Sequence, residues 1–223
     1  MQRLLQRSLV LWVFFLSACA GPQLSQQSTS AEVEKSGTLV LSVTHDYDTG
    51  IRAMATVVIG RVAGEKNEDV RLLKSLRDAM GIRTRGDYEN GYGQVYVLTV
   101  QPGRYRLISW STKSGYAILT PKDRPPQYEF EVGPGEIIYL GSINVIHAQG
   151  KSIIGFPVVA DALPQILDRS IEDVGIAETK APVIRGLVKK RLLPQGWWYF
   201  GKPETQRAIE MPPITPSPVP QRR

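Results

Sequence analysis

The chain is poor in the residues that most often carry chemistry. It has one cysteine and two histidines in 223 residues. A single thiol excludes an intrachain disulfide and any cysteine-built metal site, and two imidazoles are too few for a polyhistidine centre. No Gly-x-Ser-x-Gly, no His-Glu-x-x-His and no glycine-rich loop running into lysine is present, so the common nucleophile, zinc and phosphate-loop signatures are missing. Charge of one sign is not abundant either: 27 basic against 21 acidic residues give +6, a weak footprint for a nucleic-acid binder. No apolar run reaches the 18 or so residues of a permanent membrane span. What is present is 42% hydrophobic and 22% charged residues, enough to bury one domain's core and too apolar for global disorder.

The N-terminus is the most specific stretch. Arg3 and Arg7 precede SLVLWVFFLSA at 8–18, and Leu16-Ser17-Ala18-Cys19 follow on directly. A basic start and a short apolar stretch read as a signal peptide over 1–18. Eleven residues of helix rise only about 16 Å, half a bilayer core. The Leu-Ser-Ala-Cys run resembles the lipobox of bacterial lipoproteins, and it holds the only cysteine of the chain. The resemblance implies that Cys19 is lipidated with acyl chains and becomes the first residue of a 205-residue mature chain. Two or three acyl chains hold a protein firmly to a bilayer where one does not. The resemblance also implies outer-membrane placement facing the periplasm, because Ala20 stands where that family places Asp for inner-membrane retention. Losing Arg3 and Arg7 leaves 25 basic against 21 acidic residues, a net of +4.

Residues 19–36, rich in Gln, Ser and Ala, are expected to form a lipidated flexible tether. From 37 to 161 the pattern is that of strands. Seven are expected, around 39–44, 54–62, 95–100, 105–110, 128–132, 137–145 and 152–160, and together they predict a mainly β, antiparallel β-sandwich. Gln101-Pro102-Gly103-Arg104 and Gly133-Pro134-Gly135-Glu136 supply turns, with Pro setting φ and Gly accepting positive φ. Gln149-Gly150 suits a third turn, and Pro157 suits an edge or bulge.

Residues 63–93 interrupt the meander. Asn67, Glu68 and Asp69 suit a helix start, and Leu72, Leu73, Leu76, Ala79 and Met80 share one helical face, so a partly helical insertion is expected there. The competing reading is a strand with a long loop. Residues 162–201 are expected to form a helical appendage and aromatic segment: a short turn near Asp161–Arg169, then a helix over 179–193 with Pro182 in its first turn and Val183, Ile184, Leu187, Val188 and Arg191 at helical spacing. Gly186 weakens that helix. Residues 202–223 form a proline-rich tail, expected to be disordered.

PGRYRL at 102–107 and YEFEVGPGEIIYLGSINV at 128–145 resemble small bacterial lipoprotein domains with a transthyretin-like (prealbumin-like) sandwich. The match covers residues 94–160, and that family carries no established catalytic residues to transfer.

Few groupings point to chemistry. His45, Asp46 and Asp48, with His147, offer a cation site, though Asp-Tyr-Asp-Thr-Gly is also an ordinary turn sequence. Glu129, Glu131 and Glu136 offer paired carboxylates, or an outward polar strand face. Trp197, Trp198, Tyr199 and Phe200 are four consecutive aromatics, which cannot all enter one core: two packed against the sandwich and two half exposed is the plain reading, and a partner contact or, with Trp110, a sugar platform is the sharper one. Lys189-Lys190-Arg191 suits lipid headgroups or a solvated helix end. The sequence as a whole points to a lipid-anchored envelope protein with a binding or structural role. No catalytic residue, metal or cofactor is expected, the competing readings being a glycan-binding module and, behind it, a metal-dependent hydrolase through His45, Asp46 and His147. The expected partners are the bilayer and another envelope protein, with peptidoglycan as the alternative and no nucleic acid.

Overall fold

The computed structural model describes residues 29–45, 53–79, 82–84, 86–89, 92–114, 117–121, 125–151, 155 and 157–198. The fold is mainly β and sandwich-like. Among the described residues, thirteen strands replace the expected seven. Helix α1 is Ser30–Lys35 and helix α2 is Ser170–Lys180. The long strands are β1 (Gly37–His45), β2 (Ala53–Ala63), β3 (Lys66–Lys74), β6 (Tyr92–Val100), β7 (Gly103–Ser114), β10 (Ile137–Lys151) and β11 (Pro157–Leu167). The short ones are β4 (Arg77–Ala79), β5 (Ile82–Thr84), β8 (Ala117–Leu119), β9 (Glu129–Val132), β12 (Lys189–Lys190) and β13 (Gly196–Trp197).

Sheet A runs β13-β11-β10-β1-β6, with β12 also on β10. Sheet B runs β3-β2-β7-β8, with β9 also on β7. The pairing is not wholly antiparallel, because β1 lies parallel to β10 and β12 is parallel to it as well. Inward residues of both sheets make one core. Leu39, Leu41 and Val43 face Val57, Ile59, Tyr105, Leu107 and Trp110, the alternation expected of facing sheets. The Pro-Gly turns are not hairpins. Pro102 carries the chain from β6 in sheet A to β7 in sheet B, and Pro134-Gly135 carries it back from β9 to β10. Gly135 has φ +68°, a conformation that glycine adopts without cost.

Several expectations are corrected. Residues 66–74 form a strand on β2, with Leu72 opposite Val58 and Leu73 opposite Val57. Arg71 and Leu73 point inward while Val70 and Leu72 point out, so period 2 prevails over the helical spacing. The helix-start residues serve a β-bulge instead: Asp69 has φ +45°, and Asp tolerates the left-handed region. Residues 161–167 belong to β11, whose Leu163 and Ile166 are core residues of a strand. Gln149-Gly150 lies inside the β10–β11 ladder. The expected tether over 19–36 does not hold for its last part, because Ser30–Lys35 is helical and Val33 is buried. Residues 1–18 and 202–223, expected as signal peptide and proline-rich tail, lie outside the described residues.

The C-terminal helix comes earlier than expected, at 170–180. Its buried face is Asp173, Ala177 and Ala181, at i, i+4 and i+8, while Ile171 is 96% exposed. Beyond Pro182–Ile184, a 3-10 turn, Gly186 takes φ +72° and ends helical structure. Residues 189–193 then run extended along the first half of β10: the Arg191 N–H donates to the Tyr139 carbonyl at 2.9 Å and the Leu193 N–H to that of Leu140 at 3.0 Å. Gly141, with φ +117°, marks the point where β10 changes partner from this segment to β11.

Candidate functional site

Three polar places stand out, and each is built differently. The first lies between α2 and sheet A. Asp173 is fully buried and accepts three hydroxyl hydrogen bonds, from Ser42 (2.7 Å), Tyr88 (2.6 Å) and Tyr139 (2.7 Å). Three donors on one carboxylate satisfy most of its acceptor sites, and hydrogen bonds to an ionised group are stronger than neutral ones. Burial first, and the Asp173 charge second, push both tyrosine hydroxyls far above their ordinary range, so both remain donors. The Arg169 guanidinium covers the Tyr88 ring at 4.5 Å. Nearby, Asp87 accepts from Val95 N–H (2.7 Å) and pairs with Lys180 (2.5 Å), which also donates to the Val95 carbonyl (2.6 Å). These bonds cap the outward backbone groups of β6, the edge strand.

The second place holds both histidines. His45 closes β1 and stacks on Tyr92 with ring centroids 5.0 Å apart; His147 meets it edge-on at 5.8 Å. The His147 Nε2 lies 3.3 Å from the Thr112 hydroxyl, an inter-sheet contact between β10 and β7. Both rings are buried. Asp46 and Asp48 lie outside the described residues. Among the described residues no three metal-ligating side chains converge.

The third place was not legible in the sequence. A cleft of about 540 Å³ opens where β3, the edge of sheet B, passes β6, the edge of sheet A. Its walls include Lys35, Arg61, Glu68, Asp69, Arg71 and Thr99. Both acids are already engaged. Glu68 takes Arg61 at 2.7 Å, and Asp69 takes Arg71 through Nε (3.2 Å) and Nη2 (2.9 Å). Asp69 is the one described non-glycine residue with positive φ, and that bulge directs its carboxylate onto Arg71. The remaining nitrogen of Arg71, Nη1, is buried without a partner. Tyr105 donates to the Gln101 carbonyl beside this cleft at 2.8 Å, and burial first and the Asp69 charge second raise its pKa. At the other end of the same seam, the Tyr96 hydroxyl holds both backbone groups of Lys74 at 2.7 Å.

The residues singled out in the sequence are dispersed. Trp198 is wholly buried. Its indole N–H donates to the Pro126 carbonyl at 2.6 Å, and its backbone N–H to that of Pro164 at 2.9 Å. It plugs the seam opposite the cleft, so an exposed anchor at Trp198 is corrected to a core side chain. Trp197 is half-buried in β13, and Tyr199 and Phe200 lie outside the described residues. Trp110 is buried too, which removes it from any sugar platform. Glu129 and Glu131 point outward from β9 while Phe130 and Val132 point in. Glu136 is held below the usual carboxylate range, first by the Gly133 N–H at 2.9 Å and then by Arg191. Lys190 pairs with Asp168 and Arg191 with Glu136, so two of the three adjacent cations are tied to the fold. Cys19 lies outside the described residues. No described helix is long and apolar enough to cross a membrane.

Comparison with family models, with curated proteins and with solved structures finds no match to this chain.

Proposed function

We propose that this chain is a lipid-anchored envelope protein whose sandwich domain binds or braces another envelope component and carries out no catalysis. The observation that supports the reading most is the position of Cys19. This lone cysteine ends Leu16-Ser17-Ala18-Cys19 and stands ten residues before Thr29, where the described domain begins. Ten residues reach at most about 35 Å, so an acylated Cys19 would keep the domain close to the headgroups. The fate of the interior polar groups is consistent with this. Asp173, Tyr88 and Tyr139 are consumed in holding α2 to the sheet, and His147 bonds across the sheets. The resemblance of residues 94–160 to transthyretin-like lipoprotein domains, a mostly uncharacterised group, brings no catalytic residue. The burial of Trp110 and Trp198 leaves little of an aromatic glycan platform, so a protein partner is preferred to peptidoglycan.

The test is fractionation of cells expressing the full chain or Cys19→Ser, with labelled palmitate supplied. The expected result is label and membrane association for the natural chain, and a soluble, unlabelled Cys19→Ser protein. Equal partition of the two, with no label on either, would remove the anchor. In-cell crosslinking of the anchored chain then identifies the partner: one stoichiometric envelope protein is expected, and murein alone would transfer the role to glycan binding.

A further inference from the structure

We propose that the cleft between β3 and β6 binds a phosphate group through Arg71, Arg61 and Lys35. The argument starts from Arg71. It is only 9% exposed, it forms part of the cleft wall, and its Nη1 has no hydrogen-bond partner. A buried unpaired donor costs about 1–3 kcal/mol, and more when it is charged, so folded proteins rarely leave one without a reason. Nη1 is closed to solvent, so bulk water does not repair the deficit. The same closure keeps a ligand off Nη1 in this conformation, so an acceptor in the cleft engages it only when the Arg71 side chain turns toward it.

The surrounding charges define the guest. Three cations and two carboxylates line the cleft, and both carboxylates are already paired with Arg61 and Arg71. Lys35, at the end of α1, makes no ion pair among the described residues. The surplus is therefore one positive charge, and an anion balances it. The available donors are separate points rather than one fork, because the Nε–Nη2 side of Arg71 is spent on Asp69. An arginine fork grips carboxylate and phosphate alike, but a carboxylate's two oxygens lie in one plane. A phosphate spreads several oxygens in three dimensions and suits separate donors better. The volume, about 540 Å³, is typical of an organic ligand's pocket and far exceeds a bare phosphate, so the group arrives on a larger body. Pro102 and Val100 give that body an apolar wall. A soluble phosphate ester and a phospholipid headgroup share this chemistry.

The inference rests on the reading of the chain as a binding module, and it does not require the anchor. The two are therefore tested separately, with the full-length Cys19→Ser chain. In the first arm, glycerol phosphate is titrated and binding is followed by calorimetry. In the second, the protein is sedimented with vesicles of phosphatidylglycerol in phosphatidylcholine. Arg71→Gln should weaken whichever binding is seen by about tenfold, the size of one charge-assisted hydrogen bond. Lys35→Gln, at an exposed position, should weaken it severalfold and keeps the test valid if Arg71→Gln fails to fold. Leu72→Thr, on the outer face of β3, should leave it unchanged. Binding in the first arm supports a soluble ester, and binding in the second alone supports a lipid headgroup. No binding in either arm, or binding indifferent to Arg71 and Lys35, overturns the site. Fractionation of the natural chain, unaffected by these results, decides the anchor independently.

Discussion

The two outer faces of this sandwich differ in composition and in what covers them. The outer face of sheet A carries Val40, Val95, Val97, Ile137 and Tyr139, all buried beneath α2 and the turn that follows it. The outer face of sheet B carries Val70, Leu72 and Ile118, which are 51%, 62% and 65% exposed. That face also carries Arg104, Arg106, Glu129 and Glu131, so it is the less apolar of the two. A second difference is the latch. The Asp173 carboxylate and the Lys180 ammonium fix α2 at both ends, one to three hydroxyls of the sheet region and one to the edge of β6. On sheet B, the outward polar groups bond within their own layer, as Arg106 does with Asn67 at 2.5 Å. An apolar face is covered here where a directional polar contact sets the position of the cover.

The sharpest way to break the contrast is Asp173→Ala. It strands Ser42, Tyr88 and Tyr139 without their shared acceptor, and we expect a loss of about 3–5 kcal/mol in urea unfolding, with increased binding of a hydrophobic dye. Asp173→Asn should lose less, because its amide still accepts a hydroxyl. If the alanine variant unfolds at the same urea concentration as the natural chain, the latch is not what holds α2. A smaller effect is expected from Lys180→Met, which keeps the packed stem and removes the bond to Val95 and the pair with Asp87: about 1–2 kcal/mol, with faster amide exchange along β6 and none along β3. The least is expected from Val70→Thr with Leu72→Thr on the bare face. Their side chains are half exposed or more, so stability should move by less than about 0.5 kcal/mol while solubility rises. A larger loss would mean that this face is covered in solution.

The sequence was most legible where period and chemistry agreed. The seven predicted strands overlap β1, β2, β6, β7, β9, β10 and β11, the last only at 157–160, because their β-branched residues suit a pleated sheet. Helix α2 was missed because its buried face is Asp173-Ala177-Ala181, small and charged, while Ile171 points to solvent. Hydrophobic periodicity does not register a helix held down by a carboxylate. Residues 183–191 had the better helical spacing, but helical structure there is one 3-10 turn at Pro182–Ile184; Gly186 at φ +72° ends it, and the first half of β10 takes 189–193 as extended chain. The cleft was invisible for another reason. Lys35, Arg61, Arg71 and Thr99 come from four separate elements, and only the meeting of two sheet edges brings them together. The one local signal was Asp69 two residues before Arg71, in a stretch whose cap-forming residues serve a bulge as readily as a helix. Trp198 was conspicuous as one of four aromatics, yet its place in the core depends on the carbonyls of Pro126 and Pro164, remote in sequence.

The parallel pairing of β1 with β10 sets the order in which the chain can assemble. Thr44 on β1 and Ser142 on β10 are brought together across 98 residues of chain. The first strand thus waits for nearly two thirds of the polypeptide before its central ladder closes. Contacts of such long sequence separation slow folding, because the loop must close before any bond rewards it. Until then Leu39, Leu41 and Val43 have only part of their shelter. Under the proposed export of this chain, that delay would be an advantage: the fold would complete only after most of the polypeptide had passed.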